Sequence, residues 1–354
     1  MSRFLSRKHE KLIPYTPGEQ PRERKYIKLN TNESPFPPSS AAIHAASEAA
    51  AHLELYSDPT AHDLTEKMAE TLGVSPKNVI MTNGSDEVLN FAFMAFCDAS
   101  HPAVFPDITY GFYPVFADLN GVPYEEIPLQ EDFTVNVADY WGAGKTIFIA
   151  NPNAPTGIAV PLSDIEEIVA KNPNSVVVID EAYVDFGAES AVKLIQKYDN
   201  LLVTGTFSKS RSLAGARLGF GVASEEIIND LNTMKFSTNP YNVNSMTMAA
   251  GLGMLQDEET TKKHCQTIMK SREWTTDALK RLGFTVLPSS ANFVFAKHAR
   301  IPGEDIYLKL KERGILVRHF SLVRIKDFNR ITIGTQQNME ALIKALTEIL
   351  EEDK

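Results

Sequence analysis

Between residues 79 and 223 the chain repeats one pattern, a short unbroken apolar run followed by an amphipathic stretch and another apolar run. Unbroken apolar strands are buried on both faces, and interleaving them with helices predicts a mostly parallel sheet covered by helices on each side. The runs at 79–82, 103–105, 146–150, 175–179, 201–206 and 218–222 read as strands. The stretches at 87–96, 111–119, 162–170, 191–197, 225–232 and 243–255 read as helices.

The flanks are built differently. Pro14, Pro17, Gly18, Pro21, Pro35, Pro37 and Pro38 break residues 1–38 too often for helix or central strand, so this segment reads as an arm with a short apolar stretch at 26–29. Helices are expected at 41–53, after Ser39 and Ser40, and at 62–72, stopping at Gly73. A long helical pattern at 258–282 leads to strands at 285–287, 293–296, 315–318 and 330–333, with helices at 306–313 and 339–350. This predicts a large α/β domain over 39–257 and a smaller α+β domain over 258–354, with the arm joining the smaller domain or a partner subunit.

Composition narrows the function classes. The 35 Lys and Arg against 45 Asp and Glu give a net charge of −10 with no basic block, which argues against a nucleic-acid or polybasic membrane partner. Cys97 and Cys265, far apart and without a CxxC, offer neither a disulfide framework nor zinc spacing, and there is no HExxH. No signal-like core opens the chain and no apolar run approaches the ~18 residues that span a bilayer, so a soluble cytoplasmic protein without a metal is expected.

Ligands of open α/β sheets bind beyond the carboxyl ends of the strands, so the polar residues there come first. Five clusters qualify: 83–87 (NGSDE), 107–113, 151–157 (NPNAPTG), 180–183 (DEAY) and 206–209 (TFSK). Gly84, Ser85 and Asp86 at a helix start suit an anion, though Ser85 could equally be a plain N-cap. Asp180 would be a carboxylate at the end of a central strand, costly unless a donor or cation meets it, or else a helix cap. Lys209 follows another apolar strand; taken alone it could be a solvated lysine. Neither G-x-x-x-x-G-K-[ST] nor G-x-G-x-x-G is present, which counts against a nucleotide loop and a dehydrogenase. Together, an anion site, a buried acid, the aromatic Tyr110 and a strand-end lysine are the parts needed to hold pyridoxal phosphate.

The strings at 151–157, 180–183 and 206–219 (TFSKSRSLAGARLG) resemble fold-type I aminotransferases of classes I and II. With Pro14-Tyr15, LNTNESP at 29–35, GILVR at 314–318 and RITIGT at 330–335, the closest resemblance is to the histidinol-phosphate aminotransferases, over nearly the whole chain. The resemblance implies a fold-type I pyridoxal-phosphate transferase whose large domain holds a mostly parallel seven-stranded sheet. It also implies a homodimer with shared active sites, acting on a small-molecule amino donor and a 2-oxo acid. The reaction would be amino transfer between histidinol phosphate and 2-oxoglutarate, in histidine biosynthesis. An aromatic amino-acid aminotransferase and a threonine-phosphate decarboxylase are the alternatives on the same scaffold. A regulator that keeps the fold without catalysis is disfavoured, because no basic helix-turn-helix precedes the large domain.

By the same resemblance Lys209 would carry the cofactor and shuttle a proton, Asp180 would pair with the pyridine nitrogen and Tyr110 would stack on the ring. Gly84, Ser85, Asp86, Thr206, Ser208 and Arg217 would hold the phosphate, joined by Tyr56 from the partner. Tyr183 would donate to the ring oxygen O3′. The family usually has Asn before Pro-Thr-Gly, where this chain has Ala154, so either Asn153 replaces that donor or Tyr183 acts alone. Arg330, Arg318, Tyr15, Asn32 and Asn292 would bind the substrate anion, with Tyr15 reaching the partner's site. No role transfers to Arg324.

Overall fold

A computed structural model describes residues 2–352. The arm contains strand β1 (Ile27–Lys28). Helices α1 (Ser40–Ala49) and α2 (His62–Leu72) lead into a seven-stranded sheet built from β2 (Val79–Thr82), β3 (Ala103–Pro106), β4 (Tyr124–Ile127), β5 (Thr146–Ala150), β6 (Val177–Asp180), β7 (Leu201–Thr206) and β8 (Gly219–Ala223). The strand order is β2-β8-β7-β6-β5-β3-β4, parallel except that β8 runs antiparallel to both neighbours. Helices α3 (Ser85–Phe96), α4 (Tyr113–Asn120), α5 (Leu162–Lys171), α6 (Glu225–Thr238) and α7 (Ser245–Gln256) belong to this part of the chain.

The unbroken apolar runs do what their pattern requires. Side chains alternate across a strand, so Ile147, Ile149, Val177, Ile179, Leu201 and Val203 enter the core on one face of the sheet. Phe148, Val178 and Leu202 enter the core on the other. Each fully buried side chain of this size is worth roughly 1.5–3 kcal/mol.

Helix α8 (Glu258–Arg281) leads to an antiparallel sheet of order β12-β13-β10-β9, made of β9 (Phe284–Val286), β10 (Phe293–His298), β12 (Arg318–His319) and β13 (Phe328–Thr332). Helices α9 (Gly303–Glu312) and α10 (Gln336–Glu352) pack with α8 around it. The arm joins this part through β1, which pairs in parallel with β11 (Ile315–Leu316). Among the described residues no helix is long and apolar enough to cross a membrane.

Three expectations needed correction. Strand β4 (Tyr-Glu-Glu-Ile) was not anticipated, because an exposed edge strand carries charge instead of an apolar run. The helix expected at 191–197 shrinks to a single 3₁₀ turn, Ala191–Leu194. The strand expected at 315–318 splits at Val317, one half pairing with the arm and the other with β13.

Candidate active site

The five strand-end clusters meet around one cavity of about 260 Å³. At one end β2 turns through Gly84 (φ 81°) into α3, so the free N–H groups of the helix start face the cavity. This turn lies tight against β8: a Cβ on Gly84 would come 2.6 Å from Arg217 Nη2, and one on Gly219 would collide with the backbone of Gly84 and Ser85. Arg217 is itself held in the left-handed region, at φ 57°. Its Nη2 donates to Asp86 Oδ2 (3.0 Å) and its Nη1 to Ser208 Oγ (3.4 Å), while the Thr206 hydroxyl donates to Ser208 Oγ (3.0 Å). Tyr110 lines the cavity and donates to Asp86 Oδ1 (2.8 Å).

Asp180 forms the floor. It stands in register between Ala150 and Thr204 and is 5% exposed. The Tyr113 hydroxyl donates to Oδ2 (3.1 Å) and the Thr204 hydroxyl to Oδ1 (3.2 Å). Burial, then the nearby Asp86 charge, push the Asp180 carboxyl up to about 6 against these two donors. Its neighbour Glu181 points away from the cavity, accepting from the Ser190 hydroxyl and the Ala191 N–H, and burial pushes it up to about 8. Lys209 reaches in from the end of β7 and donates from Nζ to the Thr31 carbonyl (3.2 Å), 5.9 Å from the centre of the Tyr183 ring.

The arm forms the remaining wall. Glu33 lines the cavity; burial raises its carboxyl, but the Lys28 ammonium and the Thr31 hydroxyl outweigh that and leave it below the ordinary range. Arg330, on β13, donates to the Asn30 carbonyl (3.0 Å). Its Nε is buried without a hydrogen-bond partner, and desolvation lowers the pKa of its guanidinium. Arg318 lies opposite Arg330 in the β12–β13 pair and donates to the Thr16 and Pro17 carbonyls.

Nine of the residues singled out in the sequence line this cavity: Ser85, Asp86, Tyr110, Asp180, Tyr183, Thr206, Ser208, Lys209 and Arg217. Others lie outside its lining. Asn153 turns away: its Oδ1 accepts from the Thr109 hydroxyl and its Nδ2 donates to the Ile108 carbonyl and to Thr156, so no hydrogen is left for a ligand. Asn32 spends its side chain on Thr332 and Tyr183 rather than on open space. Tyr15 stacks on Phe112 (4.3 Å) and stands 6.3 Å from Tyr110 of its own chain, not apart from its own cavity. Tyr56 is 83% exposed and stacks on Tyr241 outside the cavity. Asn292 is buried, donates to the Asn32 carbonyl and leaves its own Oδ1 without a partner. Arg324 lies on the surface, over the Phe133 ring and bonded to Asp107 and the Gln130 carbonyl.

Tyr113, Thr31 and Glu33 were missed as site residues. All three fell inside strings already singled out, but only packing shows that the Tyr113 hydroxyl reaches Asp180.

A strand-end lysine facing a buried acid beside an anion cup, between a doubly covered sheet and a small antiparallel one, defines a fold-type I aminotransferase. The model of the family aminotransferase class I and II matches residues 24–346, and the chain belongs to that family. It is 47% identical over 352 residues to the histidinol-phosphate aminotransferase of Brachyspira hyodysenteriae, covering 99% of each chain. It is 49% identical over 355 residues to histidinol-phosphate aminotransferase 2 of Dechloromonas aromatica, again covering 99% of each. Among solved structures it resembles the histidinol-phosphate aminotransferase of Sinorhizobium meliloti in complex with pyridoxal-5′-phosphate (TM-score 0.86, 25% identity, 94% of this chain and 93% of that one). The family depends on pyridoxal phosphate. The residues present fit that group: a cup too tight for a Cβ at Gly84 or Gly219, and a buried carboxylate with no cation bonded to it among the described residues.

Proposed function

We propose that this chain transfers the amino group of L-histidinol phosphate to 2-oxoglutarate, giving imidazole-acetol phosphate and L-glutamate. The observation that carries the reading is Arg330, a guanidinium with a buried, unpartnered Nε and no carboxylate in ion-pair contact among the described residues. A half-buried cation whose Nε has no partner and which has no anion beside it is costly, so the ligand is expected to bring one. Histidinol phosphate brings a phosphate and glutamate a carboxylate, and a guanidinium fork can bind either. Arg318 and Tyr15 stand beside it for the larger anion. Full-length similarity to relatives that carry this name supports the same substrate.

Pyridoxal phosphate, when bound, supplies an electron sink for the electrons released at the amine-bearing carbon. The chain's own residues do the rest. The α3 N-terminus, Thr206, Ser208 and Arg217 would hold the cofactor phosphate. Asp180, kept in place by Tyr113 and Thr204, would set its negative charge against the pyridine nitrogen. Tyr110 would pack against the ring. Lys209 Nζ would anchor the cofactor and, once freed by substrate, take and return the proton of the substrate carbon. Cytoplasmic location is part of this reading, with Cys97 and Cys265 as free, buried thiols.

The active unit in this reading is a homodimer. Ile43, Leu53, Leu55, Tyr56 and Tyr241 leave large apolar surface in water on one chain. Tyr56 would serve the partner's cofactor phosphate. Steady-state assays test the substrate: histidinol phosphate with 2-oxoglutarate should yield glutamate far faster than phenylalanine or tyrosine does. Phosphothreonine should release no carbon dioxide. Faster turnover of an aromatic amino acid, or decarboxylation, would replace the proposed reaction with one of those alternatives.

A further inference from the structure

Position 154 is alanine where the resemblance implies an asparagine donating to the cofactor's ring oxygen, and Asn153 does not substitute because every polar atom of its side chain is engaged. The cavity therefore has one donor fewer than usual beside Ala154 and Tyr183. The structure places a different amide, that of Asn32, behind Tyr183. Asn32 is 1% exposed and sits in the left-handed region at φ 56°, a conformation asparagine tolerates better than most residues. Its backbone N–H donates to Thr332 Oγ1 (3.0 Å), and the Thr332 hydroxyl donates back to Asn32 Oδ1 (2.9 Å). Its carbonyl accepts from Asn292 Nδ2 (3.0 Å). With the amide pinned this way, Asn32 Nδ2 donates to the Tyr183 hydroxyl oxygen at 2.9 Å.

That bond has a direction. A phenol that accepts from an amide keeps its own proton for another acceptor, and chained donors polarise one another. Tyr183 is buried, its ring edge-on to Phe293 (5.1 Å), so the hydroxyl has little freedom to turn elsewhere. The charged groups facing it are Lys209 from β7 and Arg330 from β13, the strand that also carries Thr332.

We propose that Asn32 is a positioning residue that fixes Tyr183 as a hydrogen-bond donor to the cofactor's ring oxygen, so that the Thr332–Asn32–Tyr183 chain secures the one donor left there once position 154 is alanine. This rests on the reading that the cavity holds pyridoxal phosphate. A donor at the ring oxygen disperses its negative charge and loosens its hold on the proton shared with the lysine nitrogen. Losing the donor raises the pH at which that proton leaves.

The test is the pH midpoint of the visible absorbance of the loaded enzyme. Asn32→Ala and Tyr183→Phe should each raise it by on the order of one unit, the size of one hydrogen bond to a charged group. The double variant should rise no further than Tyr183→Phe alone, because both act through one contact. Asn32→Asp, nearly isosteric but an acceptor where the amide donated, should draw the Tyr183 proton to itself and raise the midpoint at least as far as Asn32→Ala, which keeps the test decisive if the alanine variant does not fold. Wild-type midpoints in the Asn32 variants, with KM for histidinol phosphate raised instead, would make Asn32 a substrate ligand and overturn the proposal. A wild-type protein that binds no pyridoxal phosphate would count against the cofactor reading instead, so the two failures are distinguishable.

Discussion

Asp180 is the residue on which burial and chemistry pull hardest against each other. Its carboxyl is pushed up to about 6 by burial while two hydroxyls hold it in place. A pyridine N–H of the cofactor would meet that carboxylate. Asp180→Asn keeps the shape and loses the charge, so cofactor should still bind while turnover falls at least tenfold, the effect of about 1.4 kcal/mol in the transition state. Measuring kcat alongside cofactor content checks this; near-wild-type kcat would reduce Asp180 to a cap. The same burial predicts a pH dependence of the cofactor-free protein. Asp180 rises from 3.8 to about 6 and Glu181 from 4.5 to about 8, so folding favours their protonated forms. The stability they contribute is complete in acid below those ordinary values and is lost as pH rises through 6 and then 8. Glu181→Gln should therefore raise Tm relative to wild type more at pH 9 than at pH 5, as thermal unfolding at the two pH values would show.

Among the elements, the β2–α3 turn against β8 carries the most function per residue. It works because Gly219 lets one strand lie directly on the backbone of Gly84 and Ser85. Gly219→Ala should push that turn outward, costing about 1–3 kcal/mol of stability and weakening cofactor binding more than it changes kcat at saturating cofactor. Titration with pyridoxal phosphate reads the affinity directly. The elements also show what could be read from the chain alone. Strands β2, β5 and β7 were legible to the residue because burial on both faces demands an unbroken apolar run. Strand β4 was not, since an edge strand answers to solvent, and the turn at 191–194 was not, since its Ala191 N–H is met by Glu181, ten residues earlier beyond the end of β6. At the site, the residues at strand ends were legible because topology alone brings strand ends together. Tyr113 behind Asp180 was not, because its role depends on packing. The bonds of Asn153 and Asn32 were not legible either: Asn153 is spent on Ile108, Thr109 and Thr156, which leaves the alternative in which Tyr183 acts alone, and Asn32 bonds to that tyrosine.

For the whole molecule, the arm is the component that ties everything together. It pairs with the small sheet through β1, accepts from Lys209 at Thr31 and from Arg330 at Asn30, and so touches both halves of the site at once. Tyr56 stacks on Tyr241 outside its own chain's cavity, and subunit mixing tests whether a partner uses it. Combining Tyr56→Phe with Lys209→Ala and allowing exchange should return activity, because each heterodimer then has one site free of both changes. No recovery would place Tyr56 within its own chain's work or outside catalysis altogether. The account as a whole turns on Lys209 holding the cofactor and releasing it to histidinol phosphate. The most direct measurement is borohydride reduction of the loaded enzyme followed by peptide mapping, with and without prior addition of histidinol phosphate. The account predicts a reduced adduct on Lys209 that disappears when histidinol phosphate is added first. An adduct on a different lysine, or one on Lys209 that histidinol phosphate leaves unchanged, would contradict it.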